Sequence, residues 1–76
     1  MDKEVMETSH RKVFREEVRN AIREAIFAGQ LKPGDRIIET FWAKELDVSQ
    51  GPVREAIRDL EAVGLVETIP FKGSRV

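Results

Sequence analysis

Residues 48–67 read VSQGPVREAIRDLEAVGLVE, and the fold turns on how this stretch is read. Val53, Ala56, Ile57, Leu60 and Val63 recur at spacings of three and four, which places them on one face of a helix. Ser49 stands where an N-cap is expected, and Gly64 can take the left-handed conformation that ends a helix. The oddity is the start. Gly51 and Pro52 are poor helix formers, yet they sit in the first turn. Proline is tolerated there because the first-turn N–H groups lack intrahelical partners. Gly51 and Pro52 also leave the helix end without bulk, beside Gln50 and Arg54.

Upstream, Phe14, Val18, Ala21, Ile22, Ala25 and Ile26 form a second apolar face, and Gly29 closes that helix. The helical pattern begins at Ser9, so residues 1–9 are read as a flexible segment and 10–76 as the folded domain. Leu31-Lys32-Pro33-Gly34 predicts a type II turn, with proline fixing φ and glycine accepting φ > 0. Arg36 to Ile38 predicts a very short strand. Thr40 is the candidate N-cap of a short helix over 41–46, with Trp42, Ala43 and Leu46 facing inward. Beyond Gly64, residues 65–69 predict a strand, 70–73 a turn and 74–76 a returning strand.

The predicted order is helix, short strand, helix, helix, strand, strand: a mainly α chain with a small β-hairpin. Two helices joined across a few residues make a helix-turn-helix, here about 39–58, and the hairpin at about 65–76 is its wing. Packing sets the requirements of such a pair. Ala43 supplies a small residue where the helices cross, Asp47 supplies the turn position that goes left-handed, and Val48, Val53, Ala56 and Ile57 supply the apolar contacts.

Composition bounds the chemistry. With 76 residues the chain holds one small domain, and 41% hydrophobic with 36% charged residues fits a folded, water-facing one. The absence of cysteine excludes disulfides, thiolate metal sites and a cysteine nucleophile, and a single histidine, His10, argues against a histidine-based triad or metal cluster. No paired carboxylates or nucleophile–base set stands out, so an enzyme is not expected. No apolar run approaches the roughly 20 residues of a membrane span, and the polar N-terminus is no signal peptide, so the expectation is a cytoplasmic protein without membrane partners.

The net charge of -1 argues mildly against a nucleic-acid partner. Arg54, Arg58, Lys72 and Arg75 are cancelled numerically by Glu55, Asp59, Glu61 and Glu67, so the outcome depends on whether the two signs occupy different faces. The N-terminal end of the second helix of such a pair is the part that enters the DNA major groove. Gln50 and Arg54 there are of the types that bond adenine and guanine edges bidentately. At the wing, Lys72, Gly73 and Arg75 suit a backbone or minor-groove contact. Blander expectations stand beside these. Arg54 could pair with Glu55 or Asp59, Arg58 suits a salt bridge or a phosphate, and Lys72 and Arg75 could serve to keep a hairpin edge soluble. Arg11, Lys12 and Arg15 could reach a phosphate, Trp42 is expected in the core, and Phe71, which could stand as an exposed wedge in the hairpin turn, is expected instead to fold back onto the domain.

Many spaced elements agree with one family. Leu31-Lys32-Pro33-Gly34-Asp35, Ala43-Lys44-Glu45-Leu46, Val48-Ser49, Pro52-Val53-Arg54-Glu55-Ala56, Leu60-Glu61, Gly64-Leu65-Val66, and Gly73 followed by Val76 resemble the GntR family of bacterial transcription regulators. The Pro-Val-Arg-Glu-Ala wording looks most like its FadR-type (FCD) branch. The resemblance implies a sequence-specific winged helix-turn-helix that binds double-stranded operator DNA as a homodimer. It also implies a C-terminal domain, absent from this chain, that takes a small-molecule effector; no cofactor is implied for the chain itself. It puts Ser49, Gln50, Gly51 and Arg54 at the family's recognition positions and Lys72 and Gly73 at the wing tip. Gln50 stands where arginine is usual, Gly51 where threonine is usual, and Asp47 where the turn has glycine. The alternative is a winged helix used as a protein-interaction module without DNA binding.

Overall fold

A computed structural model describes the backbone of residues 3–76 and the side chains of residues 13–76. Its elements follow the expected order: α1 (Lys3–Phe27), β1 (Arg36–Ile37), α2 (Glu39–Glu45), α3 (Gln50–Ala62), β2 (Glu67–Ile69) and β3 (Gly73–Arg75). This is a winged helix-turn-helix. The α1 backbone is helical from Lys3, ahead of the Ser9 start expected from periodicity. Lys3, Glu4, Met6 and Glu7 are good helix formers without an apolar pattern, and periodicity detects packing rather than propensity. Met1 and Asp2, at the start of the segment expected to be flexible, lie outside the described residues. So do the side chains of Arg11 and Lys12.

The core forms where the long helices cross. Val18 and Ile22 of α1 meet Val53, Ala56, Ile57 and Leu60 of α3, and Ile37, Ala43 and Val66 complete the cluster. Val18, Ile22, Val53 and Leu60 are fully buried, each burial being worth about 1.5–3 kcal/mol. Ala43 sits in this cluster at the α2–α3 crossing, as its size requires. Trp42, Leu46 and Val48 pack around it half-buried, and the Trp42 ring meets that of Phe41 edge-on. Two residues of the predicted apolar faces are exposed, Val63 at 70% and Phe14 at 37%, and Ala21 is half-buried outside the core. Val63 is the C-cap of α3, where the helical spacing no longer holds a side chain to its face.

All three helices end in one pattern. Each is followed by a residue with φ > 0: Gly29 (80°), Asp47 (54°) and Gly64 (80°). In each, the residue after it donates its N–H back to the helix: Gln30 to the Ala25 carbonyl (2.9 Å), Val48 to Ala43 (2.9 Å) and Leu65 to Leu60 (3.0 Å). The left-handed residue itself donates to Ile26, Lys44 and Glu61 respectively. These are paired Schellman bonds, which satisfy carbonyls the helix end leaves over. Asp47 reaches the geometry without being glycine, at a cost that short polar side chains keep low.

The start of α2 departs from expectation. Ile38, not Thr40, is the N-cap, with extended φ and ψ of -102° and 115° and no capping side chain. The chain leaves β1 extended, so the first carbonyl free to accept a helical bond is that of Ile38, which takes Trp42 N–H at 3.2 Å. Glu39 then falls in the first turn, where its charge suits the helix pole.

The strands form one antiparallel sheet in the order β1-β3-β2. Arg36 pairs with Arg75 and Ile37 with Ser74 on one side of β3; Thr68 pairs with Ser74 and Ile69 with Gly73 on the other. Gly73 therefore belongs to β3 rather than to the turn. Lys32 to Asp35 make the expected turn, closed by Asp35 N–H on the Lys32 carbonyl (2.9 Å) with Gly34 at φ 92°. Gly34 N–H then bonds the Val76 carbonyl, and Val76 N–H bonds that of Asp35, both at 2.9 Å, extending the β1–β3 ladder.

The helix ends give a direct test. Asp47→Gly is expected to raise the unfolding free energy by about 0.5 kcal/mol, and Gly64→Ala to lower it by about 1 kcal/mol. Urea denaturation of the two variants against the parent chain measures both signs.

Candidate nucleic-acid interface

The buried face of α3 decides what the helix shows to solvent. Pro52, Val53, Ala56, Ile57 and Leu60 point into the domain. Gln50, Arg54 and Arg58, spaced by four, form an exposed row along the helix, with Ser49 exposed just before it and Gly51 half-buried. Pro52 is buried and so adds no bulk to the exposed helix end.

Ser49 is the N-cap, extended at φ -73° and ψ 168°, but its hydroxyl makes no capping hydrogen bond. The first-turn N–H groups of Gln50 and Gly51 are thus uncapped by a side chain, at the positive pole of a 13-residue helix. Gly51 has no positive φ, so its backbone does not require glycine.

The acids and cations of this region are sorted. Asp59 is turned toward α1, where Arg15 Nε lies 3.0 Å and Arg19 Nη1 3.7 Å from its Oδ2. The Arg15–Asp59 contact is an ion pair without an aligned hydrogen bond, since both atoms are buried with no bonded partner. Glu61 accepts from Thr68 Oγ1 at 2.8 Å. Because the carboxylate can only accept, Thr68 spends its one proton there, and Ser74 Oγ, 3.0 Å away, donates to Thr68. Glu67 takes both Nε and Nη2 of Arg75 at 2.6 Å, a cross-strand pair in the β2–β3 register. Arg75 thus stands on the middle strand, held by Glu67, and is not on a hairpin edge. Arg54 pairs neither with Glu55 nor with Asp59: its Nη2 lies 3.2 Å from Glu39 Oε1, at the start of α2. Arg58 and Lys72 carry side-chain charges with no ion pair among the described residues.

The wing is braced from β1. Arg36 Nη2 donates to the Lys72 carbonyl at 2.9 Å, and a Cβ on Gly73 would stand 3.5 Å from that nitrogen. Gly73 is at φ 85°, which an L side chain rarely adopts. The turn itself closes with Lys72 N–H on the Ile69 carbonyl (3.0 Å), Pro70 following Ile69 and Phe71 at φ 65°. That is the sign pattern of a type II turn, whose third position is ordinarily glycine or asparagine. Phe71 does not fold back as expected. It is fully exposed, at 109% of its reference area.

The expected site residues thus form two exposed groups. Gln50, Arg54 and Arg58 lie along α3 with Ser49 at its start, and Lys72 and Gly73 lie on the wing. Sequence reasoning missed Glu39 and Arg36, which hold Arg54 and the wing. Their partners come from other elements, and no local spacing marks such pairs. Among the described residues no group of acids and histidine could hold a metal, and no helix is long and apolar enough to cross a membrane.

Residues 14–76 match the family model described as bacterial regulatory proteins, gntR family. The chain is similar to an uncharacterized HTH-type transcriptional regulator, YdhC, of Bacillus subtilis, with 50% identity over 63% of this chain and 21% of the relative. It is 43% identical to a probable D-xylose utilization operon transcriptional repressor of Paenarthrobacter nicotinovorans, over 79% of this chain and 26% of the relative. It is 37% identical to the mannosyl-D-glycerate transport/metabolism system repressor MngR of Escherichia coli, over 88% of this chain and 28% of the relative. The chain therefore spans between about a fifth and somewhat over a quarter of the length of these relatives.

The α1–α3 ion pairs are partly exposed, so their contribution is modest. Asp59→Asn is expected to cost up to about 1 kcal/mol of stability at low salt, with the difference shrinking in high salt. Thermal unfolding of the variant and parent at both salt concentrations checks this.

Proposed function

The chain belongs to the GntR family of bacterial regulatory proteins, and from that premise we propose that it is the sequence-specific DNA-binding domain of a transcriptional regulator. One observation carries the reading: Asp59, Glu61 and Glu67 are engaged within the domain, while Arg58 and Lys72 carry exposed charge with no ion pair among the described residues. A net charge of -1 is compatible with a phosphate-facing surface when the signs are separated in this way.

In this reading α3 enters the major groove by its N-terminal end. Gln50 and Arg54 meet base edges, Gln50 suited to adenine and Arg54 to guanine. Ser49 and Gly51 lie close to the DNA backbone, and the uncapped N–H groups at the helix pole bind a phosphate. Arg58, further along the same row, takes a second phosphate. Lys72 and Gly73 place the wing on the adjacent backbone or minor groove. The Glu39 pair gives way, or is shared, when Arg54 reaches a base.

We propose a homodimer on a two-half-site operator, a C-terminal effector-binding domain outside this chain, and a cytoplasmic location. The Pro52-Val53-Arg54-Glu55-Ala56 wording supports the FadR-type branch. Gln50 and Gly51, where arginine and threonine are usual, are the positions at which operator preference departs from the family's.

Titration of duplex DNA with Arg54→Ala and Lys72→Ala tests the assignment. Arg54→Ala is expected to cost about 1–3 kcal/mol and to relax discrimination between sequences. Lys72→Ala is expected to weaken all duplexes alike and to reduce the salt slope by about 1. Near-parental affinity in both variants rejects the interface. Binding to random duplex that is indifferent to salt points instead to a protein-interaction module.

A further inference from the structure

We propose that Phe71 is a wedge that enters the DNA minor groove from the wing tip and unstacks a base step, so that the wing reads how easily the duplex deforms. The inference rests on the DNA-binding reading above and deepens it.

Three observations meet at this residue. Its ring is fully exposed, on the turn that joins β2 to β3. Its backbone is held at φ 65°, a conformation that is a genuine outlier for a bulky side chain. A turn of this type would be relaxed with glycine or asparagine there. The chain thus carries both a solvated aromatic ring and local strain at one position, and neither is repaid by packing within the domain. Strain of this kind persists where the surroundings over-determine it, and it points to function at that spot. The surroundings here do over-determine it: Pro70 fixes the preceding φ, Lys72 N–H closes the turn on Ile69, and Arg36 bonds the Lys72 carbonyl from β1. The ring is therefore presented on a braced support.

The chemistry selects the occupant. No acid stands between Pro70 and Gly73, and Lys72, without an ion pair among the described residues, follows the ring directly. A cation beside an apolar ring at the narrow tip of a hairpin matches the minor groove, which is about 6 Å wide and negative in potential. Apolar side chains that enter it part adjacent base pairs and kink the duplex. Pyrimidine–purine steps such as TA open most easily. The wing would then favour a flexible step at a position where no hydrogen bond to a base is made.

The test separates this inference from the reading beneath it. Duplexes are first recovered from a random pool by the parent chain; failure to recover or bind any overturns the DNA-binding reading, and the wedge with it. Recovered duplexes are then labelled with 2-aminopurine, which brightens on unstacking, and titrated with the parent, Phe71→Gly and Phe71→Leu. Phe71→Gly is expected to unfold several degrees higher, because the strain is gone, yet to bind roughly tenfold more weakly and to lose the fluorescence rise. A variant that is more stable and binds worse cannot owe the loss to misfolding. Phe71→Leu, which keeps an apolar wedge, is expected to retain part of the rise. Parental affinity and an unchanged signal in Phe71→Gly overturn the proposal while leaving the DNA-binding reading in place, and the ring is then free to serve a protein contact.

Discussion

The packing of α3 against α1 is the constraint from which the rest follows. Val53, Ala56, Ile57 and Leu60 must face Val18 and Ile22, because a chain of 76 residues has no second core to offer. Once that face is fixed, the helical period leaves Gln50, Arg54 and Arg58 outside. The surface row is thus a by-product of the buried one, and a slip of one residue in α3 would bring Arg54 toward the core. Pro52 strengthens the constraint from the helix start: it is buried with the stripe and pins the first turn to the body.

Charge is arranged on the same frame. Asp59, one residue from Arg58, turns inward to Arg15 and Arg19, so adjacent opposite charges end on different sides of the helix. Glu61 and Glu67 are engaged by the wing through Thr68 and Arg75. Each of these interactions is partly exposed and individually weak. Among them Asp59 is drawn away from the row that carries Arg58, toward α1. The near-zero total conceals this, since a sum over the chain carries no information about direction.

The element order was legible because helix ends announce themselves. Gly29 and Gly64 are where the left-handed residues fall, and Asp47 was found from the spacing of the helix pair. The α2 start was misread because Thr40 is a good cap by residue type, whereas the path out of β1 gives that place to Ile38. Val63 matched the apolar spacing but sits at the cap, past the last residue the helix can orient. Within the site, which residues face outward could be read from the period of α3. Which charges hold one another could not, because Glu39–Arg54 and Arg36–Lys72 join elements far apart in sequence. Phe71 eluded the reading for a different reason: an aromatic at a glycine-type turn position contradicts local preference, and local preference was the only guide there.

The middle strand of the sheet is the last one made. Within the sheet β1 and β2 are not neighbours, and each pairs only with β3, with Arg36 reaching Arg75 and Gly34 reaching Val76. The helices can pack before these residues arrive, but the sheet cannot close until the final few have found both neighbours. Closing so long a loop is a non-local event, and such pairings are intrinsically slow relative to helix contacts. The aim of the wing therefore rests on a non-local pairing of the sheet. It depends on a two-residue strand that precedes both helices of the recognition pair, so the domain sets one half of its surface locally and the other by pairing strands that lie on either side of both helices in the sequence.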